Sequence, residues 1–352
     1  MESELQKLGG SLKVASVQEL AKEISTTIPK QYVRFDEKDS ILSNVSFSNE
    51  IPVIDMQKLD GDSKVELDKM HDACREWGFF QLINHGVSSK VVENMKSGMQ
   101  EFFLLPMEEK KRFSQEEGDV QGYGQVFVIK EDQKLDWGDM FYLVTLPKYL
   151  RKKRLIPEFP HKLRDAIDAY AEEMYILAKK ILYLVTGPLK MKEEDMKMLF
   201  EEGLQAMRMN YYPPCPQPEL VTGLSPHSDY IGLGILSQVN DVEGLQVKKD
   251  GVWIPVAILP DAFVINVGDI LEMVTNGAYE SIEHRAVVNT EQERLSLVTF
   301  MSPKLEGDFG PAPSLVTPQT PAKFKRIGLA DYIKGLLSRE LDGKAYLDSL
   351  RV

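Results

Sequence analysis

Met207-Arg208-Met209-Asn210-Tyr211-Tyr212 alternates two kinds of side chain, and this period of two decides the fold. On an extended segment Met207, Met209 and Tyr211 share one face, and Arg208, Asn210 and Tyr212 share the other. Pro213-Pro214-Cys215-Pro216 then ends the strand, because proline has no N–H to give to a ladder. Downstream, residues 245–247 and 253–256 flank Lys249-Asp250-Gly251, a hairpin signal. Residues 263–267, 281–288 and 294–300 read as further short strands. Many short strands with turn residues at close spacing predict a jelly roll rather than a parallel sheet.

Upstream of this region the chain reads as helical. Ser16-Val17-Gln18-Glu19 has the form of a capping box opening a short helix. Residues 51–55 read as a short strand. From Ser63, the apolar residues Val65, Leu67, Met70, Ala73, Cys74 and Trp77 recur at helical spacing up to Gly78, and residues 79–84 follow as a buried strand. A second helix starts at Ser88-Ser89 and carries Val92, Met95, Met99 and Phe102. A longer one covers about 163–185 and stops at Gly187-Pro188. After about Lys304 the chain ends in a polar, helix-like tail. The expected class is α+β, a jelly-roll core with flanking α-helices. Its expected parts are an N-terminal extension over 1–50, a mainly helical region over 51–200, the core over 201–303 and a helical tail over 304–352.

The bulk numbers narrow the function. At 352 residues, 43% hydrophobic and 27% charged, the chain can bury a sizeable core. Its net charge of −12 argues against nucleic acid or an anionic membrane as the main partner. The basic runs Lys110-Lys111-Arg112 and Arg151-Lys152-Lys153-Arg154 read as solvated loop or helix ends. Two cysteines, Cys74 and Cys215, give no disulfide framework and suit a reducing compartment. The acidic start Met1-Glu2-Ser3-Glu4 is not expected to be a signal peptide, and apolar runs such as 181–185 are too short for a bilayer. Asn44-Val45-Ser46 fits the glycosylation pattern but carries little weight in a cytosolic protein. A cytoplasmic monomer acting on a small molecule is expected.

The chemistry concentrates in His227-Ser228-Asp229, His284 and Arg294-Leu295-Ser296. Two imidazoles and one carboxylate are the ligand set of a non-haem Fe(II) site with coordination positions left open. His227 and Asp229 are two apart, so an extended backbone points both the same way. His284 shares a face with Ile282, Ala286 and Val288, which suits a ligand turned into a barrel. Taken alone, the set leaves a zinc site or two hydrogen-bonded core histidines open. Arg294 shifts the balance. Both faces of its strand are largely apolar, so it should be buried, and a buried arginine needs an anion. A dicarboxylic keto acid could chelate the metal and send its distal carboxylate to Arg294, with Ser296 as second donor and Tyr212 and Asn210 adding hydrogen bonds. Pairing of Arg294 with Glu291 or Glu293, and simple core packing of Tyr212 and Asn210, remain open. The loop 289–293 reads as a hairpin joining the strands of His284 and Arg294.

At this point the chain resembles the plant 2-oxoglutarate/Fe(II)-dependent dioxygenases over nearly its whole length. The resemblance rests on Ile51-Pro52-Val53-Ile54-Asp55, Trp77-Gly78-Phe79-Phe80, Asn84-His85-Gly86, Asn210-Tyr211-Tyr212-Pro213, Gly268-Asp269, Asn276-Gly277, Glu283-His284-Arg285 and Arg294-Leu295-Ser296. Within the family it is similar to the senescence-related group that includes the thebaine and codeine O-demethylases. The resemblance implies a double-stranded β-helix, iron on His227, Asp229 and His284, and 2-oxoglutarate on Arg294 and Ser296 with Tyr212 and Asn210 in support. It implies Fe(II), 2-oxoglutarate and O2 as cofactors, with ascorbate supporting them.

The activity implied is hydroxylation or O-demethylation of an aromatic or apolar plant metabolite (an alkaloid, flavonoid or terpenoid) with release of succinate and CO2. Expected substrate contacts are Phe300, Met140, Tyr142 and Arg208, with core packing as the alternative for Met140 and Tyr142. His85 is then structural, and Gly122-Tyr123-Gly124 is no phosphate loop. Three positions depart from the family pattern: Gly234, Ser237 and Met301, each a candidate to reshape the pocket. A zinc-dependent hydrolase and a non-catalytic binding barrel stand as competing readings.

Overall fold

The computed structural model describes residues 10–23, 26–34 and 51–352. Asn44 therefore lies outside the described residues. The strands of the two main sheets, in chain order, are β1 Val53–Asp55, β2 Phe79–Ile83, β3 Gly122–Gly124, β4 Asp139–Leu146, β5 Leu204–Tyr212, β6 Leu224–His227, β7 Leu233–Gln238, β8 Leu245–Lys249, β9 Val252–Pro255, β10 Phe263–Val267, β11 His284–Ala286 and β12 Arg294–Ser302. The main helices are α1 Val17–Glu23, α2 Lys64–Glu76, α3 Ser89–Leu104, α4 His161–Leu184, α5 Glu193–Phe200, α6 Asp269–Val274 and α7 Leu329–Leu337.

Two sheets form the jelly roll expected from the alternation. One has eight strands in the order β1-β2-β10-β7-β12-β5-β4-β3, and the other has four in the order β6-β11-β8-β9. The period of two in β5 divides the large sheet's faces. Met207, Met209 and Tyr211 join Leu295, Leu297 and Met301 of β12 against α3 and α4, in one core with Phe102, Tyr170, Met174 and Ile181. Arg208, Asn210 and Tyr212 face the other way, into the space between the sheets. Burying the outer face under helices is what fixes the polar face inward, since a one-residue slip would exchange the two.

Two local signals operate as expected. Gly78 ends the turn after α2 with φ +58°, and a Cβ there would lie 2.2 Å from the Glu280 carbonyl. Asp250 and Gly251 both take positive φ, the primed turn that matches strand twist in the β8–β9 hairpin.

Several expectations need correction. β11 and β12 are not hairpin neighbours: β11 pairs with β6 and β8, whereas β12 lies between β5 and β7 in the other sheet. Residues 287–293 cross between sheets, and Asn289 Oδ1 folds that loop by accepting the N–H groups of Glu291 and Gln292, both at 2.8 Å. The capping box is half formed. Ser16 Oγ accepts the Glu19 N–H at 3.3 Å, but the Glu19 carboxylate turns to Lys22.

The basic runs are not simply solvated. Lys110 is fully buried beside Gln18, and Arg151 is buried with NH1 on Asp168 at 2.7 Å. The tail is not merely polar, for α7 buries Leu329, Tyr332, Leu336 and Leu337. Gly122-Tyr123-Gly124 forms the edge strand β3 against β4. Among the described residues, no helix is long and apolar enough to cross a membrane.

Candidate active site

β6 and β11 lie side by side with His227 opposite His284, so register alone brings the two imidazoles together. Asp229 follows two residues later. Its Oδ1 is 3.6 Å from His227 Nε2 and its Oδ2 is 3.6 Å from His284 Nε2. All three side chains are buried, with ligand atoms within 4.8 Å of one another. His227 Nδ1 lies 2.8 Å from the Ser225 carbonyl and His284 Nδ1 3.2 Å from that of Ile282. A carbonyl can only accept, so each Nδ1 carries the proton and each Nε2 presents its lone pair to the cluster.

Burial and the neighbouring His227 push the His284 imidazole down to about 4. Burial alone would raise the Asp229 carboxyl, but His284, His227 and the Asn266 amide together hold it well below the usual range. A neutral imidazole at His284 and an ionised carboxylate at Asp229 are the protonation states a divalent metal requires of such ligands.

Asn266 of β10 sits opposite Gly234 of β7, and its Nδ2 donates to Asp229 Oδ2 at 2.8 Å. A Cβ on Gly234 would lie 1.9 Å from Asn266 Oδ1. Of the three departures from the family pattern, Gly234 is thus the one coupled to the site. Ser237 turns toward Tyr170, and Met301 is packed in the helix-covered core.

Arg294 is only 2% exposed. Its guanidinium lies over the Tyr212 ring at 5.5 Å, yet Nε and NH2 have no hydrogen-bond partner among the described residues. Glu293 instead accepts from the Tyr211 hydroxyl at 2.7 Å. Register pairs Arg294 with Tyr212 and Ser296 with Asn210, and Asn210 Nδ2 donates to Ser296 Oγ at 3.3 Å. Asn210 Oδ1 is another buried atom without a hydrogen-bond partner among the described residues. Unpaired guanidinium donors of this kind fit a carboxylate, and the donor set of the neighbouring triad fits a divalent iron.

A mainly apolar cavity opens on His227 and Asp229 of the triad. Its walls include His227, Asp229, Arg208, Tyr142, Tyr230 and Phe300, closed by Phe127, Ile333, Leu337 and Leu341. Met140 shares the inward face of β4 but does not line the cavity; register sets it opposite Asn210, one pair beyond Tyr142–Arg208. His85 is remote from the triad, stacked on Phe263 with Nε2 3.0 Å from the Asp261 carbonyl. Sequence reasoning missed Asn266, Tyr230, Phe127 and the α7 wall. Tyr230 directly follows Asp229, and Ile333 and Leu337 repeat at helical spacing, so both had a readable signal.

A buried pair of imidazoles and a carboxylate, open to an apolar cavity inside a jelly roll, defines the class of non-haem iron oxygenases. Residues 51–162 match the family described as non-haem dioxygenase in morphine synthesis N-terminal, and 203–303 match the 2OG-Fe(II) oxygenase superfamily. The chain is 56% identical to oxoglutarate-dependent flavonoid 7-O-demethylase 1 of Ocimum basilicum, over 99% of this chain and 94% of that protein. It is 50% identical to codeine O-demethylase of Papaver somniferum, over 98% of both. The crystal structure of JOX2 in complex with 2OG, Fe and JA superposes with a TM-score of 0.88 at 34% identity, covering 97% of this chain and 98% of that one.

The chain therefore belongs to the 2-oxoglutarate/Fe(II)-dependent dioxygenases, and this membership displaces the zinc-hydrolase and idle-barrel readings. It is an enzyme that uses Fe(II), 2-oxoglutarate and O2. When bound, these supply the oxidising chemistry and yield succinate and CO2.

Proposed function

We propose that this chain removes the methyl group of a methoxylated aromatic plant metabolite, of flavonoid type, by oxidising the methyl carbon. The hemiacetal so formed would collapse to formaldehyde and a phenol. In this reading His227, Asp229 and His284 hold the iron. Arg294 and Ser296 receive the distal carboxylate of 2-oxoglutarate, with Tyr212 and Asn210 in support. The enzyme acts as a cytoplasmic monomer, with ascorbate as supporting reductant. The two relatives named above as demethylases support the methyl ether as the reacting group.

The observation that carries the substrate class is the cavity's polar content. Arg208 brings a cation whose Nε is buried without a hydrogen-bond partner among the described residues, and the Asp119 carboxylate in the lining is already paired with Lys152 at 2.6 Å. Burial keeps the phenols of Tyr142 and Tyr230 protonated, the latter pushed up to about 12. Tyr142 and Tyr230 hydrogen-bond to each other, and with Gln121 and Ser302 they give a mainly apolar lining its neutral polar groups. They suit carbonyl and phenol oxygens, and a guanidinium repels a protonated amine. The enclosed space is only about 60 Å³, well under the roughly 300 Å³ of a usual small-molecule site. Entry would therefore move the wall formed by Phe127, Leu337 and Leu341.

The test is release of formaldehyde together with succinate from a panel of methoxyflavones, their unmethoxylated parents and amine-bearing methyl ethers. Turnover confined to the amines would overturn the substrate class. Succinate and hydroxylated product without formaldehyde would overturn the demethylation.

A further inference from the structure

β6, which carries His227, is the four-residue edge strand of the four-stranded sheet, with β11 on one side and on the other only an isolated bridge from His227 to Gly343. A ligand strand so short and one-sided needs support on its free flank. Besides the Gly343 bridge, two segments distant in sequence pack against the lead-in to β6 and its first residues. The Arg34 N–H donates to the Leu220 carbonyl at 2.9 Å, and the Trp137 N–H donates to that of Thr222 at 2.8 Å. Between them sits a charged cluster. The Asp136 carboxylate accepts the Ser225 N–H at 3.1 Å, the Ser225 hydroxyl, and Arg34 NH2 at 3.0 Å. Arg34 NH2 also reaches Ser225 Oγ at 2.8 Å. Ser225 supplies the carbonyl that holds His227 Nδ1.

We propose that Arg34 and Asp136 are positioning residues for His227 and, through it, set the affinity of the metal site; this rests on His227 being a ligand. The ion pair is largely buried, with 16% and 22% of the two side chains exposed. It holds Ser225 through its N–H and its side chain at once, and so restrains the residue whose carbonyl meets His227 Nδ1. That carbonyl fixes the ring plane and tautomer of His227, so Nε2 points at the space between Asp229 and His284. Arg34 lies upstream of both regions that match the family profiles, so a segment of the N-terminal extension becomes part of the metal centre's support.

The full-length chain, stripped with EDTA, is titrated with Mn(II) and free Mn(II) is read by electron paramagnetic resonance. Removing the outer partner of a metal-ligating histidine costs roughly 10–100-fold in affinity. Asp136→Ala is expected near the lower end, about tenfold, with Asp136→Asn between it and the parent because it keeps an acceptor for Ser225. Arg34→Ala should weaken binding in the same direction and Arg34→Lys should restore part of it. Melting temperatures without metal separate this from a fold defect, and Arg34→Ala serves if Asp136→Ala does not fold. Mn(II) affinity within twofold of the parent in folded Asp136→Ala and Arg34→Ala overturns the positioning role. If the parent binds Mn(II) no more tightly than His227→Ala, the ligand assignment itself fails, a distinguishable result.

Discussion

Asn266 donates its amide to Asp229 Oδ2 at 2.8 Å, and the missing side chain of Gly234 leaves the room that the Asn266 amide oxygen occupies. Two adjacent strands thus share one job. Gly234→Ala puts a methyl where the Asn266 oxygen now lies, so the amide must swing away and Asp229 loses its donor. Metal affinity should drop about tenfold, as for other outer partners of metal ligands. Asn266→Ala should do the same, and the double variant should be no worse than either alone, because both remove one contact. Additive losses in a Mn(II) titration would show that the two positions act separately.

Arg294 is a buried guanidinium without a carboxylate among the described residues, a costly arrangement until an anion arrives. Arg294→Met should therefore raise the melting temperature of the protein without 2-oxoglutarate. The same change should raise the 2-oxoglutarate requirement by about two orders of magnitude, from the ~2–5 kcal/mol cost of truncating a buried charged partner. Thermal melts with and without 2-oxoglutarate check both halves. A variant that melts lower and still responds fully to 2-oxoglutarate would remove Arg294 from the clamp.

The inward face of β4 divides at Tyr142. Met140 lies off the cavity and Tyr142 lines it, so the two expected contacts should behave differently. Met140→Leu, a volume-conserving change, should leave the substrate KM within about twofold. Tyr142→Phe and Arg208→Met should raise it by about tenfold with the 2-oxoglutarate KM unchanged, since each removes a charged or hydroxyl donor worth ~1–2 kcal/mol. Steady-state kinetics on a methoxyflavone, fitted separately for both substrates, distinguish these outcomes.

The jelly roll was legible because period-two patterning is local: β5 and β12 each carry their inward and outward sets in one unbroken run. The triad and Arg294 were legible from residue types and spacing. What escaped was pairing over long distances. Nothing near residue 289 tells that the chain leaves one sheet for the other, since an Asx-bonded loop of that length closes a hairpin equally well. Asn266 escaped because its role depends on an absent side chain one strand away. The α7 wall escaped because amphipathic spacing says that a face is buried, not against what. Lys110 and Arg151 escaped because their charges are satisfied by Gln18 and Asp168, partners distant in sequence.

Two buried groups give the metal-free protein opposing responses to acid. His284 is pushed down to about 4, so between its ordinary value of 6.5 and 4 the unfolded chain binds a proton that the folded chain refuses. Stability from this group falls as pH drops through that window. Asp269 is pushed up to about 7 by burial, against hydrogen bonds from Ser281 and Ser228 that lower it. Between its ordinary 3.8 and 7 the folded chain holds the extra proton, so its contribution rises as pH drops. Each amounts to at most about 1.4 kcal/mol per pH unit inside its window. In EDTA the parent should therefore show a shallow profile between pH 4.5 and 6.5. His284→Gln should tilt it toward greater stability in acid, and Asp269→Asn should tilt it the other way. Denaturant midpoints at three pH values decide the matter, and parallel slopes in the two variants would mean that neither group titrates in that range.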